Sequence, residues 1–531
     1  MAKVWNQAGD PSQDVSFSKS IQEILQFFYK HGSIPFSSLQ FHPSVPLEHY
    51  KSQFILLPES ICKELYRAIP KNRIATDIEN CLRFSRGSSF RELFQIQKGL
   101  WKQIANAVVF PNSAEELDKL ITIAKKHKIS LICVGSSSTN MGGIVPKNFS
   151  KSKYSLAVSL ENISSIMEWN EHYREVKVEM GMKVSDFLQI LEERGYSILQ
   201  LLGADGNRTL GGVVATGVPS ISQNIQAITV HTELGRIEIN SGNSKTLGSQ
   251  TNFLPLLIGS EGRMGVFSSV TFRIQKKSKK YIHKILALGS YQKSIAVLEE
   301  IAAKNGISFY NKIYDEYSSQ FLFLKDQILR NKLFTNWNQW KCKAKEMLES
   351  NSLLELVYPM ELEPMFKSFF QKEKTVTLYK SKSPFAKPIL DPEWTNLQNY
   401  FLDFQIYSEV FSCTIPSSIL EGVRDDLVSE FNSKFPGAQV FTDCSVLDAF
   451  HSISHFRIVH PDFSGTLEEI RKIEKSVEDI FFLHKLEFVS LGEFGKPLSQ
   501  KQNRSFPLGV LQKIYRELDP SQIFHSQKDF P

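Results

Sequence analysis

Residues 107–135 read AVVFPNSAEELDKLITIAKKHKISLICVG, and no other stretch restricts the fold as much. An apolar run, Val108–Phe110, predicts a first strand. The helix that follows carries its apolar stripe at Leu117, Leu120, Ile121 and Ala124. Asn112 or Ser113 is placed to cap it, with acidic residues in its first turn, where carboxylates suit the exposed amide groups. A second run, Ile129–Val134, predicts the next strand. Strand, helix and strand at this length imply a parallel pair joined by a right-handed crossover.

The second run opens into VGSSSTNMGG. Small residues there let backbone amides approach something anionic. Further strands are expected at SLAVSL, EVKVEMGMKV, IQAITVHT, RIEINS and GVFSSVTFRIQ. Helices are expected at SDFLQILEERGYSI and after the loop TLGGVVATGV. This mixed α+β unit ends near Lys277, and a second unit alternates strand and helix to about Leu486. The final segment, Leu511–Asp529, reads as a helix, a DP turn and a tail. Met1–Ser52 is a polar lead-in with one amphipathic helix around Ser20–Lys30.

The chain of 531 residues has room for two or three domains. Its net charge of +6 is small and spread out, which argues against a nucleic-acid partner. The one basic run, Lys276–Lys280, reads as a solvated turn. Six cysteines lack CxxC or metal-type spacing, and the start has no secretory pattern, so reduced thiols in a cytoplasmic protein are expected. No run of 18 apolar residues occurs. The 39 phenylalanines serve core packing or line an apolar substrate channel.

Three glycine-bearing loops share one unit: the VGSSSTN loop, GADGNRTLGGVVATG at Gly203–Gly217, and GSEGRMGV within Leu256–Ile274. With VVFPNSAEEL, in this order and spacing, they resemble the FAD-binding domain of the vanillyl-alcohol oxidase/p-cresol methylhydroxylase (PCMH-type) superfamily. LRFSRGSSFRELF (Leu82–Phe94), Phe401–Leu420, Phe441–Phe450, SLGEFGKPLSQKQN (Ser490–Asn503) and LDPSQIF (Leu518–Phe524) are similar to segments of the alkylglycerone-phosphate synthases. More distantly, the chain resembles the D-lactate dehydrogenase and glycolate oxidase group.

The resemblance implies an α+β protein with a PCMH-type FAD-binding domain at 72–277 and a mixed α/β cap, the FAD-linked oxidase C-terminal domain, at 278–482. Residues 1–71 then form an N-terminal extension, and 483–531 return to the FAD domain. It implies FAD bound by Gly135, Ser136, Ser137, Ser138, Thr139, Asn140, Thr209, Gly212, Thr216, Glu261, Gly265 and Val266, with main-chain groups near Val266 reading adenine. Non-covalent FAD is expected, because the first loop has no His and Cys133 falls within the strand.

The implied activity is oxidation of a CH–OH group, with hydride passing to FAD. Two alternatives stay open: an alkylglycerone-phosphate synthase-like transferase of ether-lipid synthesis, and a flavin-binding protein with a degenerate active site. Phe450 stands where the synthases carry a tyrosine, and Gly492-Glu493-Phe494 where they carry histidines. Lys312 and, less closely, Gln398 replace two phosphate-holding arginines. His451 and Glu493 remain as acid/base candidates, with Lys312 completing the catalytic set. Cys444, His451 and Glu493 echo a metal-ligand spacing of the hydroxy-acid group, but no metal is expected. The substrate is a small or lipid-like molecule, and peripheral membrane contact and a homodimer stay open.

Overall fold

The computed structural model describes residues 25–29, 40–138, 142–146, 153–198, 206–217, 219–241, 253–305, 309–325, 351–372, 375–383, 394–488 and 513–524. Thr139, Asn140 and Glu493 lie outside the described residues, as do the whole of Ser490–Asn503 and most of the acidic start of the second loop.

The N-terminal part is helical. It comprises a turn at residues 25–29 (α1), then α2 (Glu48–Lys51), α3 (Glu59–Ala68), α4 (Ile78–Arg83) and α5 (Phe90–Gln97), with the short strand β1 (Ile74–Ala75) between α3 and α4. Asp77 and Ser89 cap α4 and α5 by accepting from Asn80 N and Glu92 N.

β2 (Ala107–Val109), α6 (Ala114–His127) and β3 (Ile129–Val134) form the expected crossover. Ser113, rather than Asn112, caps α6, accepting from Glu116 N. The two strands are parallel but do not pair with each other. β4 (Tyr154–Ser159) lies between them and bonds to both, giving the order β1-β2-β4-β3. The expected pair is therefore corrected to a three-strand parallel unit. A buried central strand with no polar residue facing out gains apolar contact on both sides. Leu156 and Val158 of β4 lie fully buried among Leu117, Leu120 and Leu131.

The second sheet is antiparallel and joins β5 (Ile166–Asn170), β6 (Glu175–Glu179), β8 (Ile225–Thr232), β9 (Gly235–Asn240) and β10 (Val266–Arg273) in the order β5-β6-β10-β8-β9. α7 (Val184–Glu193), α8 (Leu210–Ala215) and the short α9 (Leu254–Leu257) cover its apolar face through Phe187, Leu191, Leu210, Val213 and Leu257. A two-strand ribbon, β7 (Tyr196–Ser197) with β11 (Gln275–Lys276), closes this part.

Past the basic turn, an eight-stranded antiparallel sheet begins. Its strands are β12 (Tyr281–Leu288), β13 (Tyr310–Tyr314), β14 (Ser352–Pro359), β15 (Val376–Ser383), β16 (Tyr407–Pro416), β17 (Gln439–Val446), β18 (His451–His460) and β19 (Glu487–Phe488). They run in the order β15-β12-β14-β13-β17-β18-β16-β19. One face packs on α10 (Tyr291–Asn305), the helix Leu420–Lys434 and the helix Leu467–Leu483. Ile313, Leu354, Leu356, Phe411, Cys413, Cys444, Phe456 and Ile458 point into that core. α11 (Glu316–Lys325) and the helix Trp394–Asp403 pack on the other face, against Leu353, Phe441 and Val459.

Residues 513–524 return to the first part. Ile523 O accepts from Leu131 N at 2.7 Å, and Ile523 and Phe524 are buried among the β3 and β4 side chains. Tyr515 packs beneath the second sheet.

Candidate active site between the glycine loops and the sheet face

The three glycine loops converge. Gly135 approaches Thr209 so closely that a Cβ on it would stand 2.4 Å from Thr209 Oγ1. A Cβ on Gly217 would stand 2.9 Å from Gly259 Cα, and one on Gly143 3.3 Å from Glu261 Oε2. Gly259 N donates to Val214 O and Glu261 N to Ala215 O, which locks the third loop onto α8. Thr209 caps α8 by accepting from Gly212 N, and Thr216 Oγ1 donates to Gly212 O.

Gly135, Ser136, Ser137, Ser138, Gly212, Thr216 and Gly262 keep solvent access, while the neighbouring Val134, Val213 and Val214 are buried. The result is a strip of small polar residues, backed by valines, that leaves room for a flat, anionic ligand against the main chain. Ser136 and Ser138 share a hydrogen bond at 2.9 Å, and Ser137 adopts φ +55°. That backbone region costs a residue with a Cβ, which is the reason such loops favour glycine. Ser88 Oγ donates to Ser137 O at 2.9 Å, so the RGSS segment braces the loop from behind.

Two predicted cofactor residues sit differently. The Val266 side chain is fully buried with β3 and β4, leaving only its main chain to act. Glu261 pairs with Arg263 at 3.3 Å, and both side chains are almost fully buried.

The face of the eight-stranded sheet turned away from its helical core is polar at its centre. Alternation along each strand puts Lys312 of β13, Glu355 of β14, Asp443 of β17, His455 and Arg457 of β18, and Ser408 and Ser412 of β16 on that one face. Asp443 and Ser412 stand opposite His455 on its two neighbouring strands. Lys312 Nζ lies 3.0 Å from Asp443 Oδ1, Ser412 Oγ 2.7 Å from His455 Nδ1, and Arg457 donates to Ser408 Oγ at 3.0 Å.

Burial pushes the His455 imidazole down to about 4; Asp443 opposes this, while Lys312, Arg208 and Arg457 reinforce it. The ring is therefore neutral near pH 7. Burial also lowers the Arg457 guanidinium to about 10 and raises the Glu409 carboxyl to about 8. Arg208 belongs to the second glycine loop, directly before Thr209. It is among the cations that lower the His455 imidazole.

The predicted catalytic residues divide. Lys312 lies in this cluster. His451 stands at the start of β18, exposed, with Nδ1 3.1 Å from Asp448 Oδ1, two strand repeats before His455. Phe450 is 73% exposed in the turn before it. Cys444 points to the opposite face, into the helical core beside Tyr291, so it does not meet His451. Gln398 is buried and donates to Ser408 O. Among the described residues no cluster of His, Cys, Asp and Glu has a metal-binding arrangement.

Asp443, Ser412, Arg457 and Arg208 escape the sequence reading, and His455 reads there only as an isolated histidine, more often structural than catalytic. The signal was available in HSISHFRIVH, where Ser452, Ser454, Phe456 and Ile458 are the buried set and His455 and Arg457 fall on the alternate one.

This fold is that of the PCMH-type FAD-binding proteins with a cap domain, and residues 105–238 match the FAD binding domain family. Over its whole length the chain superposes on an alkyldihydroxyacetonephosphate synthase with a TM-score of 0.79 at 16% identity, covering 99% of both chains. It superposes on 4-ethylphenol oxidase from Gulosibacter chungangensis with a TM-score of 0.63 at 10% identity, covering 92% of this chain and 99% of that one. In sequence it is 22% identical to the alkyldihydroxyacetonephosphate synthase of Dictyostelium discoideum over 249 residues, 45% of this chain and 39% of that protein. It is 24% identical to the D-2-hydroxyglutarate dehydrogenase of Xanthomonas citri pv. viticola over 249 residues, 45% of this chain and 50% of that protein. These matched stretches span half or less of the relatives' own length. No helix among the described residues is long and apolar enough to cross a membrane.

Proposed function

We propose that the protein is an FAD-dependent oxidoreductase acting on the CH–OH group of a small anionic hydroxy compound in the cytoplasm. The observation that carries this reading is the Lys312–Asp443–His455–Ser412 row on the sheet face, with Arg208 of the cofactor loop among the charges that act on its histidine. FAD, held along Gly135–Ser138, Thr209–Thr216 and Glu261–Gly265, supplies the hydride acceptor.

The chain's own groups do the rest. Lys312, Arg208 and Arg457 attract and orient an anionic group on the substrate. His455, neutral at working pH, gives its Nδ1 hydrogen to Ser412 Oγ and uses Nε2 to take the substrate hydroxyl proton. Asp443, opposite His455 on the neighbouring strand and paired with Lys312, stabilises the imidazolium that results.

Anaerobic mixing of the purified flavoprotein with a series of 2-hydroxy acids tests the reading. Bleaching of the visible flavin absorbance with at least one of them is expected, and its absence across the series would sink it. A transferase reading draws on the sequence similarity to alkyldihydroxyacetonephosphate synthase and on the three cations of the cluster, which suit a phosphate equally well. Exchange of an acyl for an alkyl chain, without lasting bleaching, would favour it.

A further inference from the structure

The polar row does not extend across the whole sheet face. On β17, Phe441 is two positions from Asp443 on the same side, and on β18, Val459 follows Arg457 in the same way. From there the face is apolar apart from Gln439. It is roofed by Tyr317 and Phe321 of α11 and by Leu397 and Phe401 of the helix Trp394–Asp403. The space between roof and sheet is filled by α1. Phe28 is fully buried, with its ring 5.7 Å from Phe441, 5.5 Å from Phe321 and 5.3 Å from Phe401. Gln439 Nε2 on β17 donates to Phe28 O at 2.7 Å, which fixes the turn to the sheet.

We propose that residues 25–29 are a specificity-determining wall: Phe28 occupies the volume that the apolar chain of an amphipathic anion would take, and so restricts the site to short substrates. The argument is one of continuity and volume. Arg457 and Phe441 stand opposite each other on neighbouring strands, so an anion held by Arg457 would direct any apolar tail toward the Phe28 ring. A Phe side chain in a closed aromatic cluster leaves no room beside it for a polymethylene chain.

The proposal rests on the reading of the polar row as the substrate-anion site, and the experiment separates the two. Straight-chain carboxylates from butyrate to decanoate are titrated into the FAD-loaded full chain by calorimetry. In the wild-type protein, affinity is expected to stay flat with chain length. In Phe28→Ala it is expected to rise at least tenfold from butyrate to decanoate, and in the milder Phe28→Leu to rise less. Circular dichroism and the flavin spectrum report that each variant is folded and loaded. A rise with chain length in the wild-type protein, or a flat series in both folded variants, overturns the wall alone. Butyrate binding that Arg457→Met leaves unchanged overturns the anion site, and the wall with it.

Discussion

Ser412 Oγ and His455 Nδ1 lie 2.7 Å apart on adjacent strands, forty-three positions from each other in the chain. This contact decides which ring nitrogen faces the open side of the sheet. Ser412→Ala is expected to lower the rate of flavin reduction by about tenfold while leaving FAD binding intact, the usual scale for a group that orients a base. Stopped-flow reduction checks it. The acid limb of that rate should fall near pH 4, not 6.5, because burial depresses His455 to about 4.

Stability should follow the same group. A histidine held below its unfolded value binds fewer protons folded than unfolded, so stability is lost as pH drops from about 6.5 toward 4. His455→Gln should flatten that acid loss in denaturant melts at pH 4 and 7.

Gly135→Ala pushes a methyl group to within 2.4 Å of Thr209 Oγ1, the cap of α8. The hydroxyl must move or the two loops must part. FAD affinity is expected to fall about tenfold, equal to about 1.4 kcal/mol. Quenching of flavin fluorescence on binding measures it.

Arg73 grips Glu116 through two bonds of 2.6 Å, and the same carboxylate accepts from Asn112 N. This ties the chain before β1 to the first turn of α6. Arg73→Met leaves Glu116 partly enclosed without its cation, so a loss of about 2 kcal/mol is expected in urea unfolding.

Asp519 and Glu233 meet at the junction of residues 513–524 with the second sheet. Burial, then the adjoining Glu233 carboxylate, raises Asp519 well above the ordinary carboxyl range. The sign follows directly: such a group favours the fold at low pH and loses that contribution as pH rises through its folded value. Thermal stability should therefore decline from pH 5 to pH 9, and Glu233→Gln, which removes the like charge, should reduce the decline.

The parts that were readable in the sequence are those built by neighbours. β3 lies at Ile129–Val134, where the apolar run puts it, and Ser113 caps α6 from a few residues away. The placement of β4 between β2 and β3 was not readable, because hydrophobic runs that are buried on both faces carry no mark of their neighbours. The same limit hid the site. Lys312 was singled out by resemblance, but its contact with Asp443 and the contact of His455 with Ser412 depend on strand order across a long-range sheet. Arg208 reads in the sequence as one residue of a glycine loop, and only the fold makes its charge act on His455 of β18.

The bond from Leu131 N to Ile523 O has a temporal meaning. β3 is the strand that delivers Gly135 to the cofactor strip, and its outer side is finished by a segment made long after it. During synthesis the glycine loops emerge early, while the strand that carries them stays open-edged until residues 513–524 arrive. The strand that carries the first glycine loop is thus closed on its outer side only once the cap sheet has been made, and the last described segment completes its support.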